Sequence, residues 1–294
     1  MKAPFVYFGA KRLIADLVWE RFGDVSNYVE PFFGSGAVLL ARPHEPNWET
    51  VNDINNFVMN FWRALQADPE AVAKWCDKPV HEIEIHAVHK WLLTAGLEIV
   101  EQCRDDMTFY DAKVAGLWVW GMGLWIGDGW CESYSKKLPQ LMNSRGVVSL
   151  SRNNALLETL EALSVRLRRV RTACGDWNRV LGKSVTTEIS DITGVFLDPP
   201  YDGFESVYKS ESVSSDVFEW ALANGDNPRF RIALCGYEGE HEMPDSWECV
   251  AWKANGGYSS SSKSGDNGNG NRERIWFSPH CLKRSQQNLF ERVE

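Results

Sequence analysis

The sequence predicts an α/β protein built on a mostly parallel sheet. Short apolar runs of strand length alternate with segments of helical periodicity along much of the chain. The strand-like runs also end in ligand-type residues, with glycines at Gly34 and Gly36 and carboxylates at Asp53, Asp176 and Asp198. Open α/β sheets bind ligands at the carboxyl ends of their strands, so these ends define the candidate site.

The elements follow in order. "KRLIADLVWERF" at 11–22 places Leu13, Ile14, Leu17 and Val18 on one helical face, with Gly23 as the stop. "NYVEPFFGSGAVLL" reads as a buried strand, a glycine turn and a new helix. "ETVNDIN" is a second strand ending in Asp53, and a helix with Phe57, Met59, Phe61 and Trp62 comes next. Over 68–150 the rhythm changes to short helical segments between glycines and charged loops. That stretch is expected to be an inserted region within a domain made of 1–67 and 151–280. In "SRNNALLETLEALSVRLRRV", Leu156, Leu160, Leu163, Leu167 and Val170 form one stripe, with Ser151 or Asn153 placed to cap the helix. Strands follow at "RTACGDW", "GVFLDPP" and "RFRIALCGY", and a terminal antiparallel hairpin pairs "WECVAWKA" with "RIWFS". The Gly/Ser/Asn stretch between those two has the composition of a mobile loop. Residues 281–294 read as a polar tail.

A chain of 294 residues buries enough surface to need no disulfide or metal staple. The net charge of −9 argues against a basic coat for indiscriminate nucleic-acid binding. Local basic faces remain at Arg166, Arg168, Arg169 and Arg171, at Lys136 and Lys137, and at Arg272 and Arg274. Seven cysteines without CxxC spacing read as reduced thiols, which predicts a cytoplasmic protein. The start of the chain lacks a signal-peptide run, and the apolar stretch 115–127 is too short to span a bilayer, so no membrane association is expected. His86 and His89 share a helical face without cysteines nearby, which favours a solvated helix over a metal site.

"EPFFGSG" at 30–36 lets backbone N–H groups at Gly34 and Gly36 approach an anionic ligand, or serves only as a turn. Asp53 is placed to take both hydroxyls of a ribose, or to cap the helix after it. Asp176 and Trp177 suit an adenine ring, one accepting from its amino group and the other stacking; a plain turn is the alternative. "DPPY" at 198–201 is the most specific feature. Pro199 and Pro200 end the strand and stiffen the loop, so that the Asp198 carboxylate, a backbone carbonyl and the Tyr201 ring are presented together. Acceptors on the two hydrogens of a heteroaromatic amine free its delocalised lone pair for attack on an electrophilic methyl group. Tyr201 would stack on the ring.

"YFGAK" at 7–11, "YVEPFFGSGAVLL" at 28–40, "VNDIN" at 51–55 and "FLDPPYDG" at 196–203 stand in the order found in bacterial and phage DNA adenine methyltransferases of the Dam type, which this sequence resembles over nearly its whole length. The resemblance implies a Rossmann-like methyltransferase fold, S-adenosylmethionine as cofactor, and double-stranded DNA as partner. It also implies methylation of the exocyclic amine of adenine. By motif position, Tyr7 and Lys11 would contact the methionine end of the cofactor. Glu30, Phe33, Gly34 and Gly36 would line the same pocket, Asp53 the ribose, and Asp198 both cofactor and target amine. Tyr7 and "FGA" replace the tryptophan and glycine pair usual before the lysine, and "WVWGMGLWIGDGW" replaces an Asn-rich stretch, which leaves the recognition sequence open. The alternatives are an RNA or protein amine methyltransferase and a non-catalytic DNA-binding relative.

Overall fold

The computed structural model describes residues 1–106, 108–125, 130–131, 136–140, 146–152, 155–200, 213–252 and 272–283, with only the backbone described at 8–10 and 152. A 3-10 turn, Phe8–Leu13, leads into α1 (Ala15–Phe22), β1 (Asn27–Glu30), α2 (Ala37–Leu40), β2 (Trp48–Asp53) and α3 (Asn56–Ala67). A helical stretch follows: α4 (Pro69–Cys76), α5 (Glu82–Trp91), a π-helical turn at Leu92–Gly96, α6 (Leu97–Asp105), α7 (Ala112–Leu124), α8 (Gly146–Arg152) and α9 (Leu156–Leu167). The chain then forms β3 (Arg171–Cys174), a 3-10 turn at Trp177–Val180, β4 (Thr193–Leu197), α10 (Val213–Gly225), β5 (Phe230–Tyr237), β6 (Glu248–Ala251) and β7 (Glu273–Phe277).

The seven strands form one sheet in the order β3-β2-β1-β4-β5-β7-β6. β1 to β5 are parallel, in registers such as Val29↔Val195 and Leu197↔Leu234. β7 runs antiparallel between β5 and β6. This mixed, mostly parallel α/β sheet fits a methyltransferase fold. Side-chain alternation gives each face its own core. Tyr28 and Phe196 pack with α1, α2 and α3 on one side, while Val29, Val195 and Leu197 pack with Val217 and Ala221 of α10 on the other. β1 and β4 are neighbours, but the chain leaves them in opposite directions along the sheet, toward β2 and β5. The carboxyl ends of these two strands are thus the switch point at which open α/β sheets bind ligands.

Three sequence readings change. The helix expected over 11–22 is broken at Ile14 (φ −108, ψ −3), which separates the 3-10 turn from α1. The buried face is therefore Ile14, Ala15, Val18, Trp19 and Phe22, while Leu13 is exposed. Ser151 lies inside α8 and does not cap α9, whose N-cap is Ala155 without a side-chain bond; Asn153 is outside the described residues. Arg166 is not part of an open basic face, because its guanidinium is forked onto the buried Glu49 at 2.7 and 2.8 Å. Arg168, Arg169 and Arg171 remain exposed.

Leu156, Leu160, Leu163, Leu167 and Val170 are all buried, as their spacing predicts. Gly23 ends α1 at φ +58. Trp118, Trp120, Trp125 and Trp130 are core residues, with the Trp130 indole donating to the Trp118 carbonyl at 3.1 Å. No helix among the described residues is long and apolar enough to cross a membrane.

Candidate active site

The site begins with a buried acid. Asp53 closes β2, where one oxygen accepts from the Gly34 N–H at 2.8 Å and the other from the Asn55 N–H at 2.8 Å. It does not cap α3: Asn55 does, accepting from the N–H groups of Phe57 and Val58. Asp53 thus ties the glycine turn after β1 to the start of α3. Burial pushes its carboxyl up to about 6, against the opposing backbone bonds from Asn55, Gly34 and Ile54. The folded chain therefore holds that proton more tightly than the unfolded chain. Its stabilising contribution is complete below about pH 3.8 and is lost as the pH rises through about 6.

The glycine turn is held from every side. Gly34 has φ +46, a left-handed conformation, and its carbonyl accepts from the Trp62 indole at 2.9 Å. A Cβ there would stand 2.6 Å from the Tyr7 ring. Tyr7 therefore packs directly on the bare backbone of the turn. The Gly34 N–H expected to face a ligand is already donated to Asp53. Gly36, at φ +66, is covered the same way by Phe33. Gly34→Ala is expected to cost about 1–2 kcal/mol from the left-handed backbone alone, and to displace Tyr7 as well. A lower thermal midpoint with weakened cofactor binding in calorimetry is the expected readout.

Beyond β1 and β4 the charges converge. Asp198 directly follows β4, and Lys11, from the first 3-10 turn, places its ammonium 3.0 Å from the Asp198 carboxylate. Glu273, the first residue of β7, lies 4.0 Å from the same ammonium. Lys11 is only 8% exposed and also lies over the Trp252 ring. Burial works against its charge, but Asp198, Cys235 and Glu273 outweigh that, and its pKa rises above the ordinary lysine value. Glu30, at the end of β1, accepts from the Tyr28 hydroxyl at 2.9 Å. Burial, with Asp198 and Asp53 nearby, holds the Glu30 carboxyl well above the usual range. The ion pair of the group is Lys11 with Asp198.

Sequence-predicted residues thus come together at two linked points. Tyr7, Phe33, Gly34, Gly36 and Asp53 surround the glycine turn, and Lys11, Glu30 and Asp198 form the charged group beside it. Pro199 is buried and Pro200 partly so. Tyr201 lies outside the described residues, as do Asp202 and the 255–271 loop. Asp176 is exposed and caps the next 3-10 turn by accepting from the Asn178 N–H, while Trp177 stacks on Phe32 at 6.4 Å. Glu273 and Trp252 were missed. The sequence signal was an acid opening a strand that goes on as Arg274, Ile275, Trp276 and Phe277.

Among the described residues no group of three or more His, Cys, Asp or Glu side chains could hold a metal. His81 caps α5, His86 meets the Lys137 carbonyl at 3.0 Å, and His89 is buried between Trp125 and Trp130.

A seven-stranded α/β sheet with an acid–lysine group beyond β1 and β4 fits a methyltransferase fold, and the family match supports an adenine-specific DNA methyltransferase. Residues 7–89 match the model of the D12 class N6 adenine-specific DNA methyltransferase family. The match supports the Dam type and takes in Tyr7, Lys11, Glu30, the glycine turn and Asp53. It stops at residue 89, short of Asp198 and short of half the chain. No curated protein matches the chain.

Proposed function

We propose that the protein transfers the methyl group of S-adenosylmethionine to the exocyclic amine of an adenine rotated out of double-stranded DNA. The observation that carries this reading is the Lys11–Asp198 pair at the β1/β4 switch point, next to a glycine turn anchored by a buried acid. The residues fit the cofactor. Tyr7 and Phe33, packed on the bare backbone at Gly34 and Gly36, wall the turn with aromatic rings, and the Asp53 carboxylate beside it is an acceptor for a ribose diol. Tyr7 and Lys11 would hold the methionine end, Glu30 and Phe33 would complete that wall, and Asp176 with Trp177 would flank the adenine of the cofactor.

When bound, S-adenosylmethionine supplies an electrophilic methyl group on a sulfonium. The chain's residues prepare the nucleophile. Asp198 accepts a hydrogen bond from the target amine and shifts its lone pair out of the ring. Pro199 and Pro200 keep that carboxylate from rotating away, so positioning and preorganised charge supply the acceleration. Tyr201 stacks on the extruded base, a contact worth about 1–3 kcal/mol, against the few kcal/mol needed to unstack it. The helical stretch within 68–150 would form the target-recognition region between the two parts of the catalytic domain, 1–67 and 151–280, with 281–294 as a tail. Exposed Arg168 and Arg169 would meet phosphates.

Offering tritiated S-adenosylmethionine with plasmid DNA, RNA and protein lysate in separate reactions tests the reading. Label should enter DNA alone, on the adenine amine. Label in RNA or protein, or none anywhere, sinks it. A second expectation concerns pH. A diol needs the ionised Asp53, so cofactor affinity should fall as the pH drops through about 6. Asp53→Asn should bind weakly at every pH, because its amide hydrogens would confront the N–H of Gly34 or Asn55. Calorimetry from pH 5 to 8 checks both.

A further inference from the structure

We propose that Glu273 is a positioning residue for methyl transfer, its carboxylate sharing the Lys11 ammonium so that Asp198 keeps its strength as an acceptor. The inference rests on the catalytic role of Asp198 proposed above.

Three separate parts of the chain meet at Lys11. Its own 3-10 turn precedes α1, Asp198 follows β4, and Glu273 opens β7. Glu273 is 5% exposed. A carboxylate is costly to bury unless it has charge nearby, so its place beside a buried lysine calls for an explanation. The register holds it there. Glu273 pairs with Tyr237 across β5 and β7, and its carbonyl accepts from the Trp252 N–H at 3.2 Å. The next residue, Arg274, turns its charge to Glu238 at 2.7 Å.

The distances separate the two acids. Asp198 is within hydrogen-bond reach of Lys11 at 3.0 Å, whereas Glu273 at 4.0 Å is beyond it. Glu273 therefore acts on Lys11 through its charge. A lysine paired with one carboxylate alone neutralises it, and a neutralised carboxylate is a poorer acceptor for an amine hydrogen. With Glu273 present the group of three carries a net negative charge. Lys11 then orients Asp198 without cancelling it. That excess negative charge also suits a reaction in which the amine nitrogen becomes positive as it takes the methyl group.

The test compares Glu273→Gln, Glu273→Asp and Asp198→Ala with the wild type. Single-turnover transfer of tritiated methyl to saturating plasmid DNA is measured alongside thermal midpoints and affinities for cofactor and DNA. Glutamine keeps the size and loses the charge; aspartate keeps the charge and retracts it by one methylene. The expected result is a rate about tenfold lower or worse for Glu273→Gln, affinities within about threefold, and Glu273→Asp faster than Glu273→Gln. A Glu273→Gln rate within about twofold of wild type, or glutamine outpacing aspartate, overturns the proposal, because a role in packing alone gives that order. Should Glu273→Gln fail to fold, Glu273→Met replaces it as the neutral variant, and a rate from it equal to or above that of Glu273→Asp overturns the idea. Methylation by Asp198→Ala at the wild-type rate would instead break the functional reading beneath it.

Discussion

Asp198→Ala is expected to lower methyl transfer to DNA by about a thousandfold or more, the scale seen when a preorganised polar group at a reacting centre is removed. The carboxylate is fixed by β4 before it, by two prolines after it and by Lys11 beside it. Alanine removes the acceptor, and no solvent molecule is held as rigidly in its place. It also takes from Lys11 its nearest anion, leaving Glu273 at 4.0 Å. Thermal stability should therefore fall together with the rate. Asp198→Asn keeps the shape and part of the acceptor strength, so it should fold closer to the wild type yet remain about a hundredfold slower. Single-turnover labelling of plasmid DNA, with cofactor affinity measured on the same samples, separates the chemical step from binding. Substantial labelling by Asp198→Ala would remove this residue from the mechanism.

The largest effect on stability is expected far from the chemistry, at Glu49. This carboxylate on β2 is buried between two arginines: it takes the Arg166 fork at 2.7 and 2.8 Å and Arg42 at 3.2 Å. Arg42 also donates to the Val25 carbonyl at 2.6 Å and lies over the Trp19 ring. The side chains of Arg42 and Glu49 are almost wholly buried. Glu49→Ala would strand two guanidinium groups with no anion between them. Breaking a buried pair in this way typically costs about 3–5 kcal/mol. The variant should unfold in much less urea, with the slope of its transition unchanged. Replacing Arg166 alone should cost less, since Arg42 still neutralises Glu49. Equal midpoints for Glu49→Ala and wild type would show that water reaches the arginines.

The strands were legible because their signals are local. Apolar runs with punctuation at Gly34, Asp53 and Pro199 place β1, β2 and β4 almost to the residue. The break at Ile14 was not legible, because apolar periodicity continues across it and the pattern senses a face rather than a change of helix type. That break matters, since it puts Lys11 in a turn of its own. Asp53 was legible as a strand-end acid, but its partners were not. Two acceptors, Asp53 and Asn55, compete for the start of α3, and their spacing does not decide which one caps it. Arg166 read as part of a basic face because its partner Glu49 belongs to a distant strand. Glu273 was hidden for a related reason: its depth depends on the pairing of β7 with β5 and on a lysine near the other end of the sequence.

The reversed direction of β7 has a consequence for synthesis. Running opposite to its neighbour, β7 delivers its first residue, Glu273, to the edge where β5 delivers its last, Tyr237. A growing chain leaves the ribosome amino end first, so Lys11 and Asp198 emerge long before Glu273. Domains fold as units as they are made. A chain halted between β6 and β7 would thus own every motif of the glycine turn and of the proline loop, yet lack the charge that completes the group around Lys11. Such a nascent protein is expected to leave DNA unmodified, so that methylation begins only once β7 has paired with β5 and β6.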